Sequence, residues 1–401
     1  MLFRSLRSLT GRALAAGAAS ALTLTLFNAA QPTLGSHQVQ PGTLNDVKIA
    51  LTPAPAPTTA RAALAATPAV ATRLQSAPVE VGKARFVGFS WPDADPKTED
   101  QTVWMRSRAA GGWSDWREVE QAGDGPDANS REYRAASRAY SDGQWLDAGT
   151  DEVQVRVDPP AGTGAGAGAG RAATATVAAS GLEAHMITPD LAATPGTEGP
   201  RAGVATAATA RPRIISRAAW GAKESIRRAA PDYSDTVKAA FVHHTVQSNS
   251  YSPSESAALV RSDYLYHVRT RGWNDIGYNF LVDRYGRVFE GRYGGVTRAV
   301  LGAHAGGFNT NSTGVALLGT FTTARPTGRM LAALQRLLAW KLDLTHVDPT
   351  GRTVLRSAGG ANTRYPAGRR VVVNTILGHR STSYTTCPGD PTIARLGAIR
   401  A

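Results

Sequence analysis

Apolar residues follow two kinds of pattern along this chain. Between residues 83 and 158 they come in short runs: "ARFVGFSW", "QTVWMRSR", "WSDWREVE", "GQWLDAG" and "DEVQVRVD". Several of these alternate apolar and polar positions, and Gly, Asp and Pro separate them. A period of two between turn residues predicts a small all-β module of five to seven strands. Between residues 213 and 401 buried-type runs mix with helical periods, which predicts an α/β class with a central sheet. There "VKAAFVHHT" (237–245) and "TGVALLGTF" (313–321) read as buried strands, and "YNFLVDRYGRVFEG" (278–291) as a hairpin around Arg284, Tyr285 and Gly286. "VVVNTILGH" (371–379) reads as a closing strand. "SPSESAALVRSDYLYHVRTRG" (252–272) reads as a helix capped by Ser252, with Pro253 in its first turn, Glu255 completing a capping box and Gly272 beyond its end. "TGRMLAALQRLLAWKLDL" (327–344) is amphipathic: Leu331, Leu334, Leu338 and Leu342 share one face, and Arg329 and Arg336 face water.

The pattern fails in three places. Residues 36–82, rich in Pro, Ala and Thr, read as a disordered or extended spacer. Residues 159–212, with "PPAGTGAGAGAGRAATATVAAS", read as an Ala/Gly-rich linker that lets two domains move independently. Residues 1–35 read as an export signal: Arg4, Arg7 and Arg12 precede the apolar stretch "ALAAGAASALTLTLF" (13–27), which is short for a membrane span. Cleavage is the expected fate, leaving no stable membrane anchor and a mature protein that is secreted or in the cell wall; an uncleaved anchor is the alternative.

Charge sharpens this division. The chain of 401 residues has a formal net charge of +13. Residues 211–401 carry 26 Lys and Arg against 11 Asp and Glu, while residues 1–210 carry 18 against 20. A basic unit outside the cell concentrates near polyanions. Nothing here matches a nucleic-acid module, and export argues against such a partner, so anionic wall polymers fit better; a merely solvated basic surface is the competing reading. Trp91, Trp104, Trp113, Trp116 and Trp145 fall in the β-rich module. Stacking on sugar rings is one role for them, and core packing is the expected role for most.

The chemistry gathers near the end, in "GHRSTSYTTCPGD" (378–390), which holds the chain's single cysteine, Cys387. One thiol forms no internal disulfide. Thiolate and neutral imidazole are common zinc ligands, and His379 lies eight positions before Cys387. Two ligands are too few. "VHHT" offers His243 and His244, which a strand points to opposite faces, so only one of them can enter a shared site. Three protein ligands would leave a fourth position open, as in catalytic zinc sites. A buried thiol acting as a small apolar filler is the competing reading.

Six motifs in order complete the picture: "SRAAWGA" (216–222), "FVHHT" (241–245), "RGWNDIGYNFLVDRYGRVFEGR" (271–292), "GAHA" (302–305), "STGVALLG" (312–319) and "ILGHRSTSYTTCPGD" (376–390). Together they resemble the peptidoglycan recognition protein family, which shares its fold with zinc-dependent N-acetylmuramoyl-L-alanine amidases of the phage lysozyme type. The resemblance covers about 180 residues. It implies a central mixed β-sheet flanked by helices, and one Zn2+ held by His243, His379 and Cys387, with His244 left to packing. It also implies hydrolysis, by zinc-activated water, of the amide between N-acetylmuramic acid and L-alanine of the peptidoglycan stem. Non-catalytic family members commonly replace the cysteine, and this chain keeps it. The alternatives are a non-catalytic peptidoglycan receptor or a wall-adhesion protein on the same fold. Tyr278 is the implied catalytic hydroxyl. Thr385 stands where phage lysozymes carry a lysine, and catalytic members of the recognition branch share the threonine. His304, Arg292 and Arg380 are expected to touch substrate, with a structural role the alternative for His304 and with Arg298 a further candidate for the groove rim.

Overall fold

The computed structural model describes residues 42–54, 73–92, 102–133, 138–158, 181–191, 209–360 and 362–401. The expected export signal, residues 1–35, lies outside them, as do most of both low-complexity stretches.

The C-terminal domain is built around one mixed six-stranded sheet. Its strands are β1 (Ile214–Ile215), β2 (Ala239–His244), β3 (Phe280–Val282), β4 (Val288–Glu290), β5 (Ser312–Leu317) and β8 (Ile376–Gly378), in the order β1-β4-β3-β5-β2-β8. Only the β3–β4 hairpin is antiparallel; the other neighbours run parallel. Every residue of β2 and β5 is buried, as expected of central parallel strands covered on both faces. Helix α3 (Gly328–Asp343) covers one face, and Thr327 caps it by accepting from the Met330 amide at 3.2 Å. Its buried side includes Leu334, Leu338 and Leu342, while Arg329 and Arg336 are exposed. The other face is covered by α1 (Arg217–Trp220) and α2 (Ser256–Leu265). Ser252 and Glu255 form half of the expected box, the Ser252 amide donating to Glu255 Oε2 at 2.8 Å, but the regular helix begins only at Ser256. It continues as a π turn, Tyr266–Thr270, before Gly272 turns the chain with a φ of 74°. Helix α4 (Asp390–Arg400) closes the domain. The predicted strand 371–379 is split in two. Residues Arg370–Asn374 form β7, which pairs with β6 (Arg352–Arg356) in a separate ribbon, and β8 then joins the main sheet. Thr375 marks the break: its hydroxyl donates to Asp348 O at 2.7 Å and so turns the chain.

The β-rich module is larger than its sequence pattern. One antiparallel sheet joins Thr43–Lys48, Glu183–Thr188, Phe86–Pro92, Arg138–Tyr140 and Gln144–Trp145. The second joins Leu51–Pro53, Leu74–Ser76, Val79–Glu80, Thr102–Ala109, Gly112–Trp113, Arg117–Val119 and Glu152–Asp158. Val87, Phe89, Met105, Val153, Val155 and Met186 fill the space between the sheets, making a sandwich. Both stretches read as spacers thus contribute strands, and residues 36–82 and 159–212 are not structureless throughout. Of the five tryptophans only Trp145 is fully buried. Trp104, Trp113 and Trp116 lie half-buried on the outer face, where Arg106 sits 4.7 Å and 4.6 Å from the ring centres of Trp113 and Trp116. Arg156 continues that ladder between Trp116 and Trp104.

The two domains do not sit apart as a linker would allow. Phe86, Trp145 and Ile187 of the sandwich share one apolar cluster with Trp220, Val260, Tyr264 and Tyr266 of the C-terminal domain. The Tyr266 ring packs tilted at 5.3 Å from that of Phe86, and its hydroxyl donates to Ser141 O at 2.8 Å. Gly88 is required here, since a Cβ at that position would meet the Tyr266 ring at 2.4 Å.

Candidate metal centre

Two parallel strands assemble the site. Val242 of β2 pairs with Gly378 of β8, so the residues that follow, His243 and His379, leave adjacent strand ends together. Their ring centres lie 4.5 Å apart. This is the carboxyl edge of the sheet, where parallel α/β sheets open a crevice. Strand alternation sends His244 to the other face, where its Nδ1 accepts from the Phe321 amide at 3.1 Å.

The loop after His379 brings Cys387 back. A 3-10 turn over His379–Ser381 starts it, and the Arg380 amide then bonds Cys387 O at 2.9 Å. Thr385 Oγ1 accepts from the Cys387 amide at 3.1 Å, and the His244 amide donates to Cys387 Sγ at 3.4 Å. Gly389 ends the loop with a φ of 87°, and a Cβ there would fall 1.8 Å from Phe321 O. One donor atom from each of His243, His379 and Cys387 lies within 4.8 Å of the other two. His243 Nδ1 is 3.9 Å from Cys387 Sγ, and its Nε2 is 3.1 Å from His304 Nδ1. His379 Nε2 and His304 Nε2 are buried with no partner among the described residues.

Burial sets the protonation states. It drives His243 well below its ordinary pKa, assisted by His379 and His304 nearby. Burial lowers His379 to about 4 against the opposing pull of Asp124, and lowers His304 to about 3. All three imidazoles are therefore neutral at pH 7, the form that ligates metal. Burial also pushes the Cys387 thiol up, so the thiolate needs a cation beside it.

Tyr278 comes from the turn before β3, and its ring centre lies 5.4 Å from that of His243. Its hydroxyl bonds Asp124 Oδ2 at 3.2 Å. Burial, then Asp124, raises its pKa well above the ordinary value, so it is a neutral donor. Thr385 is half-buried beside the cysteine. Two of the residues expected to touch substrate are buried. His304 is fully buried behind His243, with its backbone amide held by Asn309 Oδ1 at 2.7 Å. Arg292 is buried and forms a two-point pair with Glu132 at 2.6 and 2.8 Å. Arg380 pairs with Asp390 at 2.5 Å, and exposed Arg298 stacks 3.6 Å from the Tyr233 ring centre.

Sequence reading missed a whole layer of the site, the sandwich segment 121–132, "QAGDGPDANSRE". Asp124 pairs with Arg271 as well as with Tyr278. Burial, the largest influence, raises its pKa, but Arg271, His267 and His379 together outweigh it and hold the carboxyl below the ordinary range. Asp127 accepts from the Asn309 and Thr310 amides, both at 3.0 Å. The only local signal is a run of Gly, Pro and acidic residues, which reads as a turn. Under this cover His243, His379 and Cys387 are 1%, 2% and 5% exposed.

A mixed sheet thus carries at its carboxyl edge a buried His-His-Cys cluster whose donor atoms could share one metal ion. A family model described as N-acetylmuramoyl-L-alanine amidase matches residues 233–390. Among curated relatives in Drosophila melanogaster, peptidoglycan-recognition protein LB is 29% identical over 197 residues, covering 49% of this chain and 70% of that protein. Peptidoglycan-recognition protein LE is 33% identical, covering 39% of this chain and 44% of that protein. Peptidoglycan-recognition protein SC2 is 30% identical over 178 residues, covering 44% of this chain and 80% of that protein. The solved structure of wild-type Drosophila PGRP-LB is 28% identical, with a TM-score of 0.37, covering 46% of this chain and 93% of that one. The chain belongs to the peptidoglycan recognition protein family.

Proposed function

We propose that this chain is a zinc-dependent N-acetylmuramoyl-L-alanine amidase that acts on peptidoglycan outside the cytoplasm. The observation that carries the reading is the triad of His243, His379 and Cys387, with donor atoms within 4.8 Å of one another. Two neutral imidazoles and one thiol are a donor set suited to zinc, and the partnerless His379 Nε2 is what a ligand position leaves when only protein groups are counted. A zinc ion held there supplies Lewis acidity towards a carbonyl and makes water a competent nucleophile near neutral pH.

The remaining work falls to the chain's own groups. His304 Nδ1 faces His243 Nε2 and fixes the ring that presents Nδ1 to the cluster. Tyr278, kept neutral by burial, offers its O–H to the oxygen that gains charge when the amide carbonyl is attacked. Thr385 accepts from the Cys387 amide, which fixes the loop and leaves its own O–H free to donate beside the cysteine. The excess of 26 basic over 11 acidic residues in 211–401 suits the carboxylates of stem peptides and the phosphates of wall polymers. The start of the sequence, with its basic and then apolar residues, supports export.

One observation favours a second reading, a receptor that binds peptidoglycan without cutting it: the cluster is at most 5% exposed. Mass spectrometry of purified peptidoglycan incubated with zinc-loaded wild type and with Cys387→Ala separates the two. The amidase reading predicts free stem peptides from wild type alone. Equal release from both proteins would overturn the metal role, and sedimentation with peptidoglycan without any release would favour the receptor.

A further inference from the structure

We propose that residues 121–132 are a built-in occupant of the substrate groove, an acidic segment that an acidic peptide must displace to reach the His243–His379–Cys387 cluster. This rests on the reading of the groove as a peptidoglycan site.

The segment belongs to the sandwich but is held by the other domain. It carries no regular strand, and its three carboxylates each find partners across the boundary. Asp124 meets Arg271 and the Tyr278 hydroxyl. Asp127 takes the Asn309 and Thr310 amides, the Asn309 side-chain amide at 2.8 Å and the Thr310 hydroxyl at 2.9 Å. Glu132 takes Arg292 twice and the Asn274 amide at 2.7 Å. Asp124, Asp127 and Glu132 are only 6%, 1% and 7% exposed. The main chain is gripped too: Asn362 donates to Ala122 O at 3.0 Å, Arg271 to Asp124 O at 2.9 Å, and Asn309 to Gly125 O at 2.8 Å. Little of this is apolar packing. It is how a protein recognises an extended peptide bearing spaced carboxylates.

The seat also blocks chemistry. At Gly123 the backbone lies against the cluster loop, so that a Cβ there would be 3.3 Å from Thr385 Cβ and 3.6 Å from His379 Cε1. The Tyr278 hydroxyl, the donor needed for the developing oxyanion, is committed to Asp124. Stem peptides share the segment's chemistry: small side chains, an extended main chain and free carboxylates. A neutral ligand that expelled the segment would strand Arg271 and Arg292 as buried unpaired charges, whereas an acidic one replaces their partners. A cavity of about 330 Å³ beside the segment, lined in part by Asp124, Arg271, Trp273 and Gly306, gives the incoming ligand a first foothold. Tethering makes the segment a strong competitor, because its effective concentration is of millimolar order.

The test uses the full chain and its single thiol. In the zinc-free protein, maleimide labelling of Cys387 reads access to the cluster. In the zinc-loaded protein, hydrolysis of a soluble N-acetylmuramoyl pentapeptide reads turnover. The double variant Asp127→Asn/Glu132→Gln leaves Asp124 and the domain face intact. It should raise both labelling rate and kcat/KM by about tenfold or more, because the competent open state becomes more populated. A protease site inserted between Ser130 and Arg131 and cut in the folded chain should do the same, which guards against a double variant that misfolds. Unchanged labelling in both variants would overturn the proposal. So would faster labelling with slower hydrolysis, which would make the segment part of the working site. Faster labelling with no hydrolysis in any protein would instead sink the amidase reading and leave the occlusion standing. A pentapeptide with its carboxylates amidated should be cut more slowly than the free acid by wild type, and this difference should shrink in the variants; equal rates would overturn the charge-replacement argument.

Discussion

Two buried histidine networks lie in the two halves of this molecule, and they differ in what they leave unsatisfied. In the sandwich His185 Nδ1 pairs with Asp46 at 2.7 Å and its Nε2 with Ser90 Oγ at 2.8 Å. In order and spacing that is a Ser-His-Asp relay. Yet Ser90 is fully buried, and Arg138 also donates to its Oγ at 2.9 Å, so its hydroxyl is not available to act on a ligand. In the C-terminal domain His379 Nε2 and His304 Nε2 have no partner among the described residues, and the Cys387 thiol sits among neutral imidazoles. A fully paired polar network specifies a fold, and one with orphaned buried atoms marks a place for something absent from the chain.

That contrast can be broken at several points. The largest effect should come from Cys387→Ser, which should abolish zinc retention and reduce amide hydrolysis by about 10³-fold or more, read by metal analysis and muropeptide turnover. Retained zinc with retained activity would erase the distinction. Next, Tyr278→Phe should keep zinc and lower kcat by about 10²-fold, the loss expected for one oxyanion donor. In the sandwich, Ser90→Ala should cost about 1–3 kcal/mol of stability by leaving His185 Nε2 without its partner, with zinc content and turnover unchanged. Denaturant titration measures the first and metal analysis the second; a change in zinc would contradict the structural role.

The smallest effect concerns Lys341, a buried charge satisfied by Val296 O and Arg298 O at 2.9 and 2.8 Å. Burial lowers its pKa to about 7. Between that value and the ordinary lysine value of about 10.4 the unfolded chain holds a proton that the folded chain has lost. Stability contributed by this group therefore rises with pH across that window and is lowest below pH 7. Lys341→Met should remove a slope of up to about 1 kcal/mol per pH unit. Parallel pH profiles for wild type and variant would refute this.

How much could be read in advance follows the same physics. Strand β2 and helix α3 were legible because each buries a face whose period local sequence must obey. The meeting of His243, His379 and Cys387 was legible because His and Cys are the residue types expected around zinc, and their donor atoms do lie together. Strands Thr43–Lys48 and Glu183–Thr188 were hidden: they pair with each other across more than a hundred residues of chain, inside stretches whose composition reads as spacer. Thr375 broke a predicted strand through a side-chain bond to Asp348 O that no periodicity encodes. Segment 121–132 was invisible as a functional element because the partners of Asp124, Asp127 and Glu132 lie more than 140 residues away. Arg292, expected at an open rim, is spent on Glu132 for the same reason.

The claim on which the account depends is that His243, His379 and Cys387 hold one metal ion together. Cobalt titration of the metal-free full chain tests it most directly, because a cysteine thiolate bound to cobalt gives a charge-transfer absorption band. The account predicts saturation at one cobalt per chain in wild type, with that band lost in Cys387→Ser and binding severely weakened in His379→Ala. Saturable binding without a thiolate band, or the same titration curve in all three proteins, would contradict it.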